Sequence, residues 1–262
     1  MSSTLEFDDR AARGIEIMYQ TADVVAQRLL SHKMLELGAG ESVLDIGCGP
    51  GLLANELAKT VGPAGRVCGI DLSADMVAMS ARRCADQDWT AFEEADAAAL
   101  PYPDGAFDAA ASTQVYEYVE DVPSVLVELR RVLRPGGRAL IIDTDFDSLV
   151  LHSDDRALTE RILTAWDEHF VHRDLPRRLS HLLREAGFTI RQRDTLPMFN
   201  PEYHRNAFGS HLIRVMAKFA VGREGITQDE ADGWIAGLEK LGAEGRFFFS
   251  LNRYLFLAEK PA

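Results

Sequence analysis

The chain has 262 residues, 47% apolar and 26% charged, which suits one elaborated domain with a sizeable core. A net charge of −13 argues against a nucleic-acid partner, because phosphate binding needs a basic surface. No apolar run approaches a membrane span, the acidic start Met1–Asp9 has no leader character, and Cys48, Cys68 and Cys84 lack C-x-x-C spacing. The expectation is a cytoplasmic protein with no disulfide framework and no metal site.

In chain order, Ala22 to Leu37 carries apolar residues near a 3.6 period and stops at Gly38-Ala-Gly40, which predicts a helix. Ser42-Val-Leu-Asp-Ile46 reads as a short strand that ends in a glycine cluster. Leu52 to Thr60 follows as a helix, and Arg66 to Ile70 as a second strand. Ser73 is placed to cap a helix over Ala74 to Ala85. Trp89 to Glu93 is a third strand and Phe107 to Ser112 a fourth. Val122 to Val132 is a helix stopped by Arg134-Pro-Gly-Gly137, and Arg138 to Asp143 is a fifth strand. Such alternation predicts an α/β fold, a doubly wound, mostly parallel sheet covered on both faces.

The second half reads differently. Asp154 to Glu185 is helical with a break near Pro176, Phe188 to Leu196 is a strand, and Phe247 to Leu257 is a strongly β-prone last strand. Residues 201–245 between them are mostly helical, too long for a plain connection. The chain divides into a helical N-terminal segment (1–40), a core (41–200 with 246–262) and a helical insertion (201–245), expected to be a substrate lid.

The chemistry concentrates at Asp45-Ile-Gly47-Cys48-Gly49-Pro-Gly51, between the first strand and its helix. Glycines there permit a tight turn and close approach of a ligand, and the following helix presents free N–H groups. Asp71 closes the second strand, where an acid can bond ribose hydroxyls. Asp96 and Ala97 follow the third strand, where a carboxylate and a backbone N–H can meet an adenine edge. A dinucleotide fingerprint needs its third glycine at position 52, which is Leu52, so NAD and FAD are disfavoured.

With these residues in view, the chain resembles the class I S-adenosylmethionine-dependent methyltransferases, and within them the ubiquinone and menaquinone biosynthesis subgroup. The resemblance rests on Val43–Gly51, Gly69–Ser73, Glu94–Asp96, Leu100–Asp108 and Glu128–Gly137. It implies a Rossmann-like seven-stranded sheet with an antiparallel last strand, and S-adenosylmethionine as cofactor. It also implies roles: Gly47, Cys48, Gly49 and Gly51 cradle the methionine part with Asp45 beneath, and Asp71 holds the ribose. Leu72 and Met76 pack near the adenine, and Asp96 and Ala97 hold its edge. Thr113 and Gln114 lie near the transferred methyl, and Tyr19, Gln27 and Arg28 close over the cofactor from the N-terminal segment. Many relatives have a histidine after the fourth strand, where this chain has Tyr116-Glu-Tyr118.

Methyl transfer to an activated leaving group needs alignment above all, and a base only if the acceptor must lose a proton. Base candidates are Tyr116, Tyr118, Asp143, Asp145, His152, His169 and His172, with Tyr116 and His152 placed first. Arsenite methylation is disfavoured because no cysteine follows residue 84. The expected partner is a small, partly apolar acceptor methylated on O, N or C. A homodimer stays open. The rival readings are a cofactor-binding regulatory protein without catalysis, and a nicotinamide oxidoreductase.

Overall fold

In the computed structural model, residue 14 and residues 16–262 are described. Residues 1–13 and 15, which include the acidic start and part of the expected N-terminal segment, lie outside the described residues.

The first long helix, α1 (Ala22–Leu35), buries Val24, Met34 and Leu35 together with the polar Gln27, Arg28 and Ser31. It ends where Glu36 turns left-handed. Five strands and three helices follow: β1 (Ser42–Ile46), α2 (Leu52–Val61), β2 (Arg66–Asp71), α3 (Ala74–Arg83), β3 (Thr90–Glu94), β4 (Phe107–Thr113), a 3₁₀ turn (Tyr116–Tyr118), α4 (Val122–Val132) and β5 (Leu133–Leu151). Ser73 caps α3 as its sequence predicts, accepting from the Met76 N–H. Asp121 does the same for α4 through the Ser124 N–H. The remaining elements are α5 (Arg156–Asp167), α6 (Pro176–Glu185), β6 (Thr189–Asn200), α7 (Phe208–Ala220), α8 (Gln228–Ala243) and β7 (Phe249–Glu259).

The seven strands form one sheet in the order β3-β2-β1-β4-β5-β7-β6. Strands β1 to β5 pair in parallel, and β7 runs antiparallel between β5 and β6. The central strands β1 and β4 are almost wholly buried, as expected for strands covered on both faces. One face packs Leu44, Ile46, Phe107 and Ile141 against α4 and α6 through Leu126, Leu129, Leu179 and Leu183. The other packs Val43, Val67, Ala109 and Leu140 against α1 and α2 through Leu35, Leu53 and Leu57.

The fifth strand is longer than the six residues its apolar run suggests. Leu133 pairs with Phe107 and Arg138 with Ala109, so residues 134–137 loop out as a bulge within the strand. This is why Arg134-Pro-Gly-Gly137 reads as a helix stop followed by a turn. Beyond Asp145 the strand bulges again and continues beside β7 to Leu151. That extension, with α5, α7 and α8, builds a third core around Phe146, Trp166, Phe208, Met216, Trp234 and Phe249. Helix α8 begins with a reciprocal capping box between Thr227 and Glu230. No helix among the described residues is long and apolar enough to cross a membrane.

Candidate active site

The chain reverses its winding between β1 and its neighbours β2 and β4, which opens a crevice at the carboxyl ends of the strands. A cavity of about 570 Å³ lies there. One end is the glycine loop. Gly47 has φ +68°, and a Cβ on it would sit 2.3 Å from Val115 Cγ2, so no larger residue fits. A Cβ on Gly49 would meet nothing within 4 Å. Space therefore remains beside the loop backbone, as a cradled ligand requires. The Cys48 N–H donates to the Ile70 carbonyl at 2.9 Å, which ties the loop to β2.

Three carboxyls line this end. Asp45 is buried beneath the loop, and its Oδ2 has no hydrogen-bond partner among the described residues. Burial, with a smaller push from Asp71, raises its pKa to about 7. Asp71 accepts from the Gly49 N–H and the Ser73 N–H, both at 2.9 Å. Burial raises it despite those two bonds. Asp96 is exposed and accepts from the Ala98 N–H at 2.9 Å, beside the buried Ala97. Leu72 is 72% exposed on the cavity rim and Met76 is buried behind it. An exposed leucine next to a half-free carboxylate suits the face of a base and its ribose.

Thr113 and Gln114 line the middle of the cavity. Gln114 takes φ +60°, held by its N–H to the Ile142 carbonyl at 2.7 Å, and Thr144 Oγ1 donates to its Oε1 at 2.5 Å. Tyr19, Gln27 and Arg28 from the N-terminal segment also reach the wall. Arg28 is already engaged, through Nε to Glu56 at 3.1 Å and through Nη1 to the Tyr19 carbonyl at 2.6 Å. It therefore fixes Tyr19 over the cavity rather than standing ready as a bare cation. Cys48 is no nucleophile, because burial and the Asp45 carboxyl push its thiol far up.

The far end is aromatic. Tyr118, Phe146, Trp166, His169 and Phe208 line it, with Leu212 and Val215 of α7. Trp166 lies over His169 with ring centres 4.4 Å apart, and Tyr118 meets His169 edge-on at 5.1 Å. Phe146 stacks on Phe170 at 4.1 Å. Two buried charged residues face this end, Glu117 and Arg253. Glu117 accepts from the Thr144 N–H at 3.1 Å, and burial raises it to about 7. Its backbone carbonyl accepts from Val171 and His172, which anchors the segment carrying His169.

The two residues placed first as bases are not brought here. Tyr116 is completely buried in the core beneath the sheet end, and the 3₁₀ turn points its two neighbours at the cavity instead. His152 is exposed, on the stretch whose backbone continues the β5–β7 pairing with an N–H to the Phe248 carbonyl. Asp145 is bonded to Arg177 at 2.8 and 3.0 Å, and His172 lies against the Glu120 carbonyl. Of the seven candidates, Tyr118 and His169 form part of the cavity wall.

Sequence reading passed over Glu117 and Arg253. For Arg253 a signal exists: Leu251, Arg253 and Leu255 share the buried phase of the β7 alternation, so one charge stands where the pattern demands an apolar residue. Glu117 had only its place between two tyrosines.

Residues 44–141 match the Methyltransf_11 family, described as a methyltransferase domain. The chain is 38% identical over 191 residues to an uncharacterized 37.1 kDa protein in transposon TN4556 of Streptomyces fradiae, covering 70% of this chain and 54% of that protein. It is 40% identical over 143 residues to the ubiquinone/menaquinone biosynthesis C-methyltransferase UbiE of Hahella chejuensis, covering 52% of this chain and 57% of that one. Its fold is similar to that of Haemonchus contortus phosphoethanolamine N-methyltransferase 2, solved with S-adenosylhomocysteine and phosphomonomethylethanolamine. There the TM-score is 0.64 at 20% identity, over 98% of this chain and 59% of that chain. The chain spans about half the length of the curated relatives it matches. Sheet order, glycine loop and matched residues together identify residues 44–141 as a methyltransferase domain, in a chain that resembles the class I enzymes of the ubiquinone and menaquinone biosynthesis subgroup.

Proposed function

We propose that the chain is a methyltransferase that moves a methyl group onto an O, N or C atom of a small, partly apolar metabolite. One observation carries this reading: the glycine loop and the aromatic wall are two ends of one continuous cavity. A cofactor held at the first end and an acceptor at the second would meet in its middle, beside Thr113 and Gln114.

The donor set fits the cofactor. The open backbone at Gly49, the unpartnered oxygen of Asp45 and the carboxylate of Asp71 offer acceptors and approach room for an amino-acid end and a ribose. Leu72, Met76, Asp96 and Ala97 would hold the adenine. When bound, S-adenosylmethionine supplies a methyl group on a sulfonium that is already a good leaving group. The protein's own part is alignment and exclusion of water. Tyr19, fixed by Arg28, covers the cavity from one side, and α7 walls it with Phe208, Leu212 and Val215 from the other. The 201–245 helices would then serve as the acceptor lid. An acceptor that must lose a proton would find Tyr118 and His169 on the wall, with Glu117 behind Tyr118.

Calorimetry with S-adenosylmethionine, S-adenosylhomocysteine and NAD tests the cofactor half of this reading. Binding of the first two without NAD is expected, and binding of NAD alone would overturn it. Turnover on a metabolite panel tests the catalytic half; a chain that binds cofactor and methylates nothing on the panel would favour a regulatory role.

A further inference from the structure

Among the described residues the cavity wall carries two arginines and no lysine. Arg28 is satisfied by Glu56 and the Tyr19 carbonyl. Arg253 is in a different position. It is 3% exposed, it stands in the middle of β7, and it opens onto the cavity. Its Nη1 donates to Gln27 at 2.5 Å, and its Nε has no hydrogen-bond partner among the described residues. Its guanidinium carbon lies 4.7 Å from the centre of the Phe208 ring. Among the described residues no carboxylate lies within ion-pair distance of it. The nearest acids by strand position are Glu117, which bonds the N–H of Arg253's register partner Thr144, and Asp143 on the next residue of β5. Both acids are buried, and burial raises both, although the Arg253 charge pulls Glu117 part of the way back; neither makes a hydrogen bond to the guanidinium. A buried guanidinium with an unpaired donor is costly unless something anionic completes it.

Position decides which ligand completes it. The cofactor's acids and glycine loop sit at the ends of β1 to β3, whereas Arg253 is on β7, three strands beyond β1. At about 4.8 Å per strand that is roughly 14 Å across the sheet. The arginine belongs to the aromatic end, with Phe146, Trp166, His169 and Phe208.

We propose that Arg253 is the seat for a carboxylate of the acceptor, so that the acceptor is a flat, apolar acid whose body lies against the aromatic wall. The planar guanidinium offers paired donors that match a carboxylate, which a lysine cannot reproduce. Gln27 on Nη1 and Phe208 against its face hold that plane in place. Arg253 is then a specificity residue, acting on which acceptor enters rather than on the transfer itself.

The proposal rests on the methyltransferase reading, and the test separates the two. The full chain saturated with S-adenosylhomocysteine is titrated by calorimetry with 2-naphthoate and with the neutral 2-naphthamide, as wild type, Arg253→Met and Arg253→Lys. The expected result is naphthoate binding at least tenfold tighter than naphthamide in wild type, lost in Arg253→Met and reduced in Arg253→Lys. Affinity for S-adenosylhomocysteine should stay within threefold in all three, which also reports that the variants are folded. A naphthoate preference under threefold in wild type, including no binding of either probe, overturns the proposal. So does a tenfold loss of S-adenosylhomocysteine affinity in Arg253→Met while Arg253→Lys retains it, since Arg253 would then hold the cofactor's own carboxylate. Failure of wild type to bind S-adenosylhomocysteine at all would instead sink the underlying methyltransferase reading.

Discussion

The two ends of the cavity are built in opposite ways. The cofactor end comes from one contiguous stretch, Asp45 to Gln114, and each part follows directly from the end of a strand. Its polar groups are satisfied largely by backbone N–H donors, as at Asp71 and Asp96. The acceptor end is gathered from Tyr19, Tyr118, Phe146, His169, Phe208 and Arg253, spread over most of the chain. It depends on ring contacts and on buried side-chain charge. With cofactor and acceptor seated as proposed, the first arrangement could be kept while the second varies, because the two draw on different stretches of the chain.

That contrast can be broken at several points. The largest effect is expected at Asp45, whose pKa rises from 3.8 to about 7 on folding. The native state then binds a proton that the unfolded chain has released, so stability is full below about pH 4 and falls as pH rises towards 7. Unfolding free energy without cofactor should drop by on the order of 3 kcal/mol over that window, by the unit shift of 1.36 kcal/mol. In Asp45→Asn this part of the slope should disappear, leaving what Glu117 and Asp143 contribute. Urea titrations at pH 5 and pH 8 check it, and an unchanged slope would mean that Asp45 is not protonated in the fold.

Next comes Asp71→Ala, which removes a charged acceptor and frees the Gly49 N–H. A loss of about 2 kcal/mol is expected, or roughly thirtyfold in S-adenosylhomocysteine affinity. Unchanged affinity would remove the ribose from this position. Phe146→Leu should act at the other end, raising KM for the best acceptor of the metabolite panel about tenfold through the lost stacking on Phe170. Cofactor affinity should change less than twofold, and a larger change would mean that the two ends are not independent. The smallest effects belong to Tyr116→Phe and His152→Ala, where kcat/KM should stay within about twofold because neither side chain reaches the cavity. A hundredfold loss in either would restore the role that sequence reading expects.

The same contrast explains what could be read in advance. The sheet was legible because each strand carries its own apolar run and each helix its own cap, as at Ser73. Asp71 and Asp96 were legible because strand ends in this fold point to one place. The acceptor wall was not, because nothing local in Phe146 or Phe208 says that two elements far apart in sequence will face each other. Tyr116 and Tyr118 show the limit sharply. They are two residues apart on one turn, yet one is sealed in the core and the other lines the cavity. Arg253 was readable in principle, as a charge in the buried phase of an apolar strand.

The place of β7 has a consequence for how the chain is made. It is the last strand in sequence but lies between β5 and β6 in space. During synthesis, every other strand exists before the one that joins these two. Until Phe249 to Glu259 has left the ribosome, β5 and β6 each present an open edge, the kind of surface on which unfinished chains stick to one another. A product cut short before Phe249 would therefore be expected to aggregate rather than persist as a partly active enzyme. It would also lack Arg253, so the residue we assign to acceptor choice arrives with the strand that closes the sheet.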